Sequence, residues 1–140
     1  MNDKKVIISD IIDNLRRVFQ ILNGQTKKIK RETGLTGPQL WTIKTIYEHT
    51  PVKVSELAGR LYLHPATVIG IIDRLEKQDF VKRRRSEDDR RVVWVELTDK
   101  GNALVKSAPE VAQGLLVEGL EGISTNQLSE MDGAMKLMVK

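Results

Sequence analysis

The densest group of charged side chains in the sequence lies between Val81 and Arg91. These eleven residues include six basic and three acidic side chains, so they carry a net charge of +3, against +4 for all 140 residues. A local basic patch of this kind attracts the phosphates of a nucleic acid. The other interpretation is a charged loop that faces solvent, and the charge alone does not separate the two.

Residues suited to catalysis, metal binding or redox chemistry are scarce. The chain has no cysteine, which excludes disulfides and thiol-based sensing within it. Its two histidines, His49 and His64, lie far apart and lack the spacing of a metal-binding motif. No nucleophile–base pair or phosphate-binding loop is apparent. The sequence therefore predicts no catalytic residue, no metal site and no cofactor, and an enzyme is the least favoured class.

The length and composition are typical of one soluble globular domain, with 140 residues, of which 40% are hydrophobic and 30% charged. No apolar run is long enough to span a membrane. Asp10 and Asp13 interrupt the apolar stretch near the N-terminus, which argues against a signal peptide. We therefore expect a cytoplasmic protein with no membrane partner.

Two helices joined by a tight turn precede the basic segment. The sequence predicts helices over 54–61 and from Pro65 to about Gln78, which is a helix–turn–helix pattern. An earlier helix begins at Thr36, which forms a capping box with Gln39. The residues expected to face the core are Leu40, Ile43, Ile46 and Tyr47, then Leu57, Ala58 and Leu61, then Val68, Ile71, Ile72 and Leu75.

A hairpin is predicted to follow these helices. Residues 92–97 are β-branched and aromatic, as in strands, and residues 80–85 are their expected partner across the polar loop 86–91. The order helix, turn, helix, hairpin is that of a winged helix–turn–helix, which we assign to residues 36–98. The predicted fold class is mostly α with a small β wing, flanked by N- and C-terminal dimerisation helices.

The flanking segments, residues 1–35 and 99–140, carry apolar stripes at helical spacing. A long amphipathic helix is expected over 6–33. A later one begins after Thr98, ends near Glu118 and is kinked or split by Pro109, and the last begins after Ser124.

These stripes expose more apolar surface than a small winged helix covers, which predicts a homodimer. The alternative is that they pack only within one subunit. The predicted interface residues are Ile8, Ile11, Leu15, Leu128, Met131 and Met135.

The stretch 36–104 resembles the multiple-antibiotic-resistance regulator family, MarR. Two patterns carry the resemblance: P-A-T-V at 65–68 followed by D-R-L-E at 73–76, and the wing pattern D-x-R-x-x-x-V-x-L-T. The residues of the wing pattern are Asp89, Arg91, Val95, Leu97 and Thr98.

The resemblance implies a homodimer bound to a pseudo-palindromic operator in double-stranded DNA, usually as a repressor. In many members a ligand cleft lies between the dimerisation helices and the winged helix. The sequence departs from the family at Ile69, where serine or threonine is frequent, and at Gly70, where arginine is one frequent choice. His64 stands where a shorter capping residue is common.

Within this framework the helix that begins at Pro65 becomes the recognition helix. Thr67 can bond to a base edge or a phosphate, and Ala66 and Ile69 can contact a thymine methyl group. Gly70 allows a closer approach to DNA. Arg74 binds a phosphate or braces the wing.

Arg91 is the candidate for insertion into a narrow minor groove, with Asp89 holding its guanidinium. The remaining predicted DNA contacts, mainly to phosphates, are Arg84, Arg85 and Arg90. The alternative for the recognition-helix and basic wing residues is an ordinary solvent-exposed surface. The alternative for Asp89 is a turn-forming residue, a role that is compatible with holding Arg91.

A ligand cleft can be lined by Arg16, Phe19, Trp41 and Tyr47, because pockets are mostly apolar with a few placed polar groups. An arginine there suits an aromatic carboxylate. The alternative is that the aromatic residues belong to the core and Arg16 is solvated. We therefore expect a ligand-responsive repressor with a small aromatic or apolar effector, if any. The competing hypothesis is a winged-helix protein-interaction module without DNA binding, which would have no need for the basic wing.

Overall fold

The computed structural model describes residues 3–139, which form seven helices and three short strands. Its elements, in chain order, are α1 (Asp3–Thr33), α2 (Gly37–His49), β1 (Val52–Lys53), α3 (Val54–Leu61), α4 (Pro65–Lys77), β2 (Val81–Arg85), β3 (Val93–Leu97), α5 (Asp99–Ser107), α6 (Ala112–Glu121) and α7 (Thr125–Met138). The predicted fold class is confirmed. Residues 1, 2 and 140, which the predicted flanking segments include, lie outside the described residues.

The helix starts follow the capping residues seen in the sequence. The Gln39 amide donates to Thr36 Oγ1 over 3.2 Å, and the Thr36 amide donates to Gln39 Oε1 over 3.1 Å, which completes the predicted capping box. At α4 the cap is His64, whose Nδ1 accepts from the Ala66 amide over 3.1 Å. The imidazole therefore caps α4, the role that shorter side chains usually have at a helix N-terminus.

Two features differ from the sequence prediction. Strand β1 was not predicted, because two residues are too few to show a strand pattern. It pairs with β3, through Val52 opposite Val95, and gives an antiparallel sheet of order β1–β3–β2. The helix predicted to be kinked or split by Pro109 is split into α5 and α6, as expected, but α6 continues to Glu121 rather than ending near Glu118.

The core lies between α2, α3, α4 and the sheet. Fully buried side chains from these elements include Leu40, Ile43, Ile46, Leu57, Leu61, Val68, Ile72, Leu75, Val81 and Val95. The prediction that Tyr47 is buried is wrong: it lies in the last turn of α2 and is 45% exposed.

A tight junction carries the chain from α4 into the wing. The Phe80 amide donates to the Leu75 carbonyl over 2.9 Å and the Asp79 amide to the Glu76 carbonyl over 3.0 Å, the bonding pattern of a Schellman motif. Asp79 takes the left-handed conformation at φ 65°, where glycine is usual. Gly101, in the first turn of α5, packs directly onto the Phe80 carbonyl.

We expect Gly101→Ala to destabilise the fold, because its Cβ would collide with the Phe80 carbonyl oxygen, which is backbone and cannot rotate away. The free energy of unfolding, measured by urea denaturation, should fall by about 1–3 kcal/mol. The matched control is Gly59→Ala in α3, whose Cβ meets nothing within 4 Å. Gly59→Ala should be neutral or stabilising, and equal effects of the two changes would contradict the packing argument.

Candidate nucleic-acid interface

One face of α4 is largely exposed while the other is in the core. Ala66, Thr67 and Arg74 are exposed, Ile69 is 47% exposed, and Gly70 is half-buried. The opposite face holds the buried residues Val68, Ile71, Ile72 and Leu75. The apolar face fixes α4 against the core, so the predicted recognition residues project outward together.

The tip of the β2–β3 hairpin is organised by a carboxylate. Asp89 Oδ1 accepts from the Arg91 amide over 3.0 Å and from Arg91 Nε over 3.1 Å, and Asp89 Oδ2 accepts from Arg91 Nη2 over 3.3 Å. The hydrogen bond from the Arg91 side chain is the main reason that the pKa of Asp89 lies below its ordinary value. The predicted contact is present, and it holds a guanidinium whose side chain is 90% exposed.

A second arginine ties the wing to α4. Arg83 Nη2 lies 2.6 Å from Asp73 Oδ1 and 2.8 Å from Glu76 Oε1, and the Arg83 amide donates to Glu76 Oε2 over 3.1 Å. The hydrogen bond from the Arg83 side chain is the first cause of the lowered pKa of Glu76. We call this group the Arg83 anchor.

The Arg83 anchor was not predicted from the sequence, where Arg83 was counted with the other basic side chains of the wing. The signal was available: Asp73 and Glu76 are three residues apart, so they lie on one helix face. Lys82 is also engaged, at 3.7 Å from Glu96. The basic charge free to meet DNA is therefore smaller than the sequence count suggested.

Strand alternation divides the wing arginines between two faces. Arg83 and Arg85 line a groove of about 700 Å³ between α3, α4 and the wing, together with Arg91, Ile69 and Ser55. Arg84 is paired in register with Trp94 and is absent from the groove. Of the predicted DNA contacts in the wing, the structure brings Arg85 and Arg91 beside α4 and leaves Arg84 on the other face.

The wing loop is braced from within. Arg85 Nη1 donates to the Arg90 carbonyl over 3.1 Å, and the Ser86 amide donates to the Val92 carbonyl over 2.9 Å. The Arg90 side chain is exposed beside Arg91. Ser55, in the first turn of α3, is a groove residue that the sequence analysis did not single out, because a lone serine carries no recognisable pattern.

The four residues predicted to line one ligand cleft do not meet within this chain. Arg16 is 73% exposed and lies 4.0 Å from Asp13, so the solvated alternative describes it correctly. Phe19 is 68% exposed on α1, and Tyr47 is 45% exposed on α2. Neither is a core residue. Arg16 and Phe19 line a shallow pocket of about 450 Å³ on α1, and Trp41 lines a separate cavity of about 610 Å³ between α2, α3 and α6.

The residues predicted to form a subunit interface are accessible in the single chain. Ile8 and Ile11 are each 46% exposed and Leu15 is 41% exposed. On α7, Met131 and Met135 are 44% and 54% exposed, and Leu128 is half-buried. Two apolar stripes therefore remain uncovered at opposite ends of the sequence.

Between residues 3 and 139, no helix is both long and apolar enough to cross a bilayer. Over the same residues, no three histidine, aspartate or glutamate side chains are grouped closely enough to bind a metal ion.

The exposed face of α4, the wing and the groove between them define a winged helix–turn–helix of the DNA-binding type. The sequence profile of the MarR family matches residues 35–93. The repressor MdtR of Bacillus subtilis is 32% identical over 102 residues, covering 73% of this chain and 66% of MdtR. The chain belongs to the MarR family. It is a DNA-binding transcriptional regulator, and the interaction-module alternative is not supported.

Further comparisons agree over most of the chain. The uncharacterized regulator YsmB of Bacillus subtilis is 27% identical over 122 residues, covering 87% of this chain and 84% of YsmB. The crystal structure of a MepR-like protein complexed with pseudoligands has a TM-score of 0.65 at 26% identity. That similarity covers 94% of this chain and 92% of the solved chain, so it includes the flanking helices as well as the winged helix.

The Arg83 anchor predicts a specific dependence of stability on pH. The pKa of Glu76 is lowered in the folded protein by its contact with Arg83. This contact therefore stabilises the fold fully at pH values above the ordinary glutamate pKa of about 4.3. That contribution is lost as pH falls through the lower value of the folded state. The free energy of unfolding, measured by denaturation from about pH 3 to 7, should therefore fall less at acid pH in Glu76→Gln than in the wild type.

The control for this measurement is Glu87→Gln in the exposed wing loop, because the Glu87 side chain forms no ion pair with any of residues 3–139. It should retain the acid loss of the wild type. If Glu76→Gln and the wild type lose stability in parallel, the Arg83 anchor does not supply this pH dependence.

Proposed function

We propose that this protein is a homodimeric repressor that binds a pseudo-palindromic operator and is released by a small aromatic or apolar ligand. The main support for the proposal is that two elements suited to contact DNA lie side by side. The exposed face of α4 and the Asp89-held Arg91 flank one groove. A helix suits the major groove and an arginine on a wing suits a narrow minor groove.

Within the proposed complex the α4 residues read the bases. Thr67, in the first turn, bonds to a base edge or a phosphate, and Ala66 and Ile69 contact thymine methyl groups. Gly70 adds no side chain, so the DNA can approach the helix closely there. Arg74, one turn on, contacts a phosphate.

The proposed wing contacts are mainly electrostatic. Arg91 enters the minor groove, and Arg85 and Arg90 neutralise phosphates. Arg84 faces the other side of the sheet and contributes less. These roles rest on the exposure of the side chains and on the groove that Arg85 and Arg91 share.

The proposed dimer follows from the uncovered apolar stripes of α1 and α7. Exposed apolar patches of this length mark interaction surfaces in soluble proteins. An isologous dimer covers the same surface on both copies and relates two recognition helices by a dyad. The helices would then meet half-sites about one turn of DNA apart, roughly 34 Å.

Two names among the relatives support the regulatory part of the proposal. MdtR is named a repressor, and the MepR-like protein was solved with pseudoligands. This chain has a cavity beside Trp41 that could hold a ligand of similar kind. Repression and ligand release are therefore proposed together.

The neighbouring wing arginines provide a test with matched charge changes. Arg91→Ala should weaken operator binding by about 1–3 kcal/mol per subunit, most strongly on A·T-rich flanks. Arg85→Ala should lower the slope of log affinity against log salt by about one unit, because one phosphate contact is lost. Arg84→Ala removes the same charge on the other face and should change the slope less.

The measurement is a titration of operator duplexes at several salt concentrations, with flank-swapped sequences for Arg91→Ala. If Arg91→Ala binds every flank like the wild type, the wing does not probe DNA. If Arg84→Ala and Arg85→Ala shift the salt slope equally, the two faces of the wing are not distinguished by DNA.

The dimer is tested by charges placed on both apolar stripes. Leu15→Asp/Leu128→Asp should give monomers or unfolded protein, because a buried unpaired charge costs several kcal/mol, on the order of its desolvation penalty. Ser9→Asp/Ser129→Asp adds the same charges beside the stripes and should stay dimeric. Sedimentation velocity distinguishes the species, and a folded dimeric Leu15→Asp/Leu128→Asp protein would locate the interface elsewhere.

A further inference from the structure

The cavity beside Trp41 has a mixed lining, with the less exposed residues at its floor and charged side chains around them. Thr45 and Val111 are buried there, and Trp41 and Gly114 are half-buried. Its volume of about 610 Å³ is within the range of small-molecule sites. It lies between α2, the end of α3 and α6, so it touches both the helix–turn–helix and a helix outside it.

The charge around this cavity is opposite to that of the whole protein. Its lining includes two basic and four acidic side chains, a net charge of −2, whereas the chain carries +4. Among residues 3–139 none of the four carboxylates forms an ion pair; they are Glu48, Glu110, Glu118 and Glu121. The ammonium group of Lys44 already donates to the Pro109 carbonyl over 2.6 Å.

The end of α6 strengthens this negative field independently of the other elements. Glu118 and Glu121 lie in the last turn of α6, and that turn has no basic residue. The C-terminal end of a helix carries partial negative charge, so acidic side chains are unfavourable there and cations are favourable. The arrangement costs stability unless a positively charged partner is present.

We propose, on the basis of the ligand-released repressor above, that this cavity binds an organic cation that carries an aromatic or apolar group. Trp41 offers an indole ring, which attracts cations as well as apolar groups. The rim carboxylates lie in solvent, so they select the sign of the ligand more than they add affinity. An aromatic carboxylate would meet one guanidinium here, that of Arg60 at the end of α3, among four carboxylates, and Arg16 of α1 is not in the lining.

The structure also supplies a path from the cavity to the recognition helix. The Tyr62 hydroxyl donates to Glu121 Oε1 over 2.9 Å. Tyr62 lies in the turn between α3 and α4, three residues before Pro65, and holds the left-handed conformation at φ 55°. A cation that pairs with Glu121 competes with this hydroxyl, so its binding loosens the link between α6 and the helix–turn–helix turn.

The probes that test the sign of the ligand are tetraphenylphosphonium and tetraphenylborate, which match in shape and differ in charge. Calorimetry in a sodium buffer should show the cation binding at least about tenfold more tightly than the anion. Glu118→Gln/Glu121→Gln should remove most of that preference. The matched control, Glu32→Gln/Glu130→Gln, removes two exposed carboxylates outside the cavity and should keep it.

The path to the recognition helix is tested with Tyr62→Phe, which removes only the hydroxyl. This variant should bind tetraphenylphosphonium at least as tightly as the wild type, because no hydroxyl competes for Glu121, but the cation should no longer weaken its affinity for an operator duplex. Tyr47→Phe, the other single-hydroxyl change, should respond normally. Glu121→Gln can still accept from Tyr62, so it separates the loss of charge from the loss of the hydrogen bond.

Equal binding of the two probes would overturn the assignment of a cation site. If tetraphenylphosphonium weakens operator binding by Tyr62→Phe as much as by the wild type, the proposed path is wrong but the cation site stands. Calorimetry tests the cation site without DNA, and operator titration in the absence of either probe tests DNA binding without a ligand. Failure of the cation site and failure of the DNA-binding proposal are therefore distinguishable.

Discussion

The Arg83 anchor is the interaction on which the geometry of the DNA-facing surface depends. The base of the β2–β3 hairpin is held by its ladder, by β1 and by the burial of Val81 and Val95 in the core, but its outer part has no such packing. By bonding Asp73 and Glu76, Arg83 ties β2 to the recognition helix at its middle and in its last turn. The ion pairs therefore add a second link between α4 and the wing, beside the tight turn at Asp79. The anchor joins one guanidinium to two carboxylates, a net charge of −1, so it offers no positive charge to DNA and its role is to position the wing.

Opposite charges are separated across the molecule. The groove between α4 and the wing carries guanidinium groups, whereas the cavity beside Trp41 carries unpaired carboxylates. Separation of this kind favours DNA on one side and repels it from the other. Tyr62 connects the two regions, since its backbone belongs to the helix–turn–helix turn and its hydroxyl reaches α6. The proposed DNA site and the proposed ligand site are therefore physically linked through one turn.

The apolar helices outside the winged helix serve a different purpose from the core. No residue of α7 is buried, and Ile29 is the only buried residue of α1 among those that the structure describes. Burying such stripes against a second copy would contribute hydrophobic stabilisation of about 25 cal/mol for each Å² covered. Dimerisation would at the same time fix the spacing of two recognition helices, so stability and operator geometry would arise from one contact.

The sequence by itself determined the elements whose signals are local. Thr36 with Gln39, Pro65 and Thr98 mark helix starts by their capping chemistry, and the change from helical to alternating period marks the wing. Even Asp89 and Arg91, two residues apart, could be paired from sequence, because both lie in one turn. The tertiary structure alone decided what depends on residues that are distant in the chain or packed from several sides. Arg83 proved to be an anchor, Arg84 faced away from the groove, and Trp41 was separated from Arg16, because strand alternation and helix packing, not chain spacing, set which side chains meet.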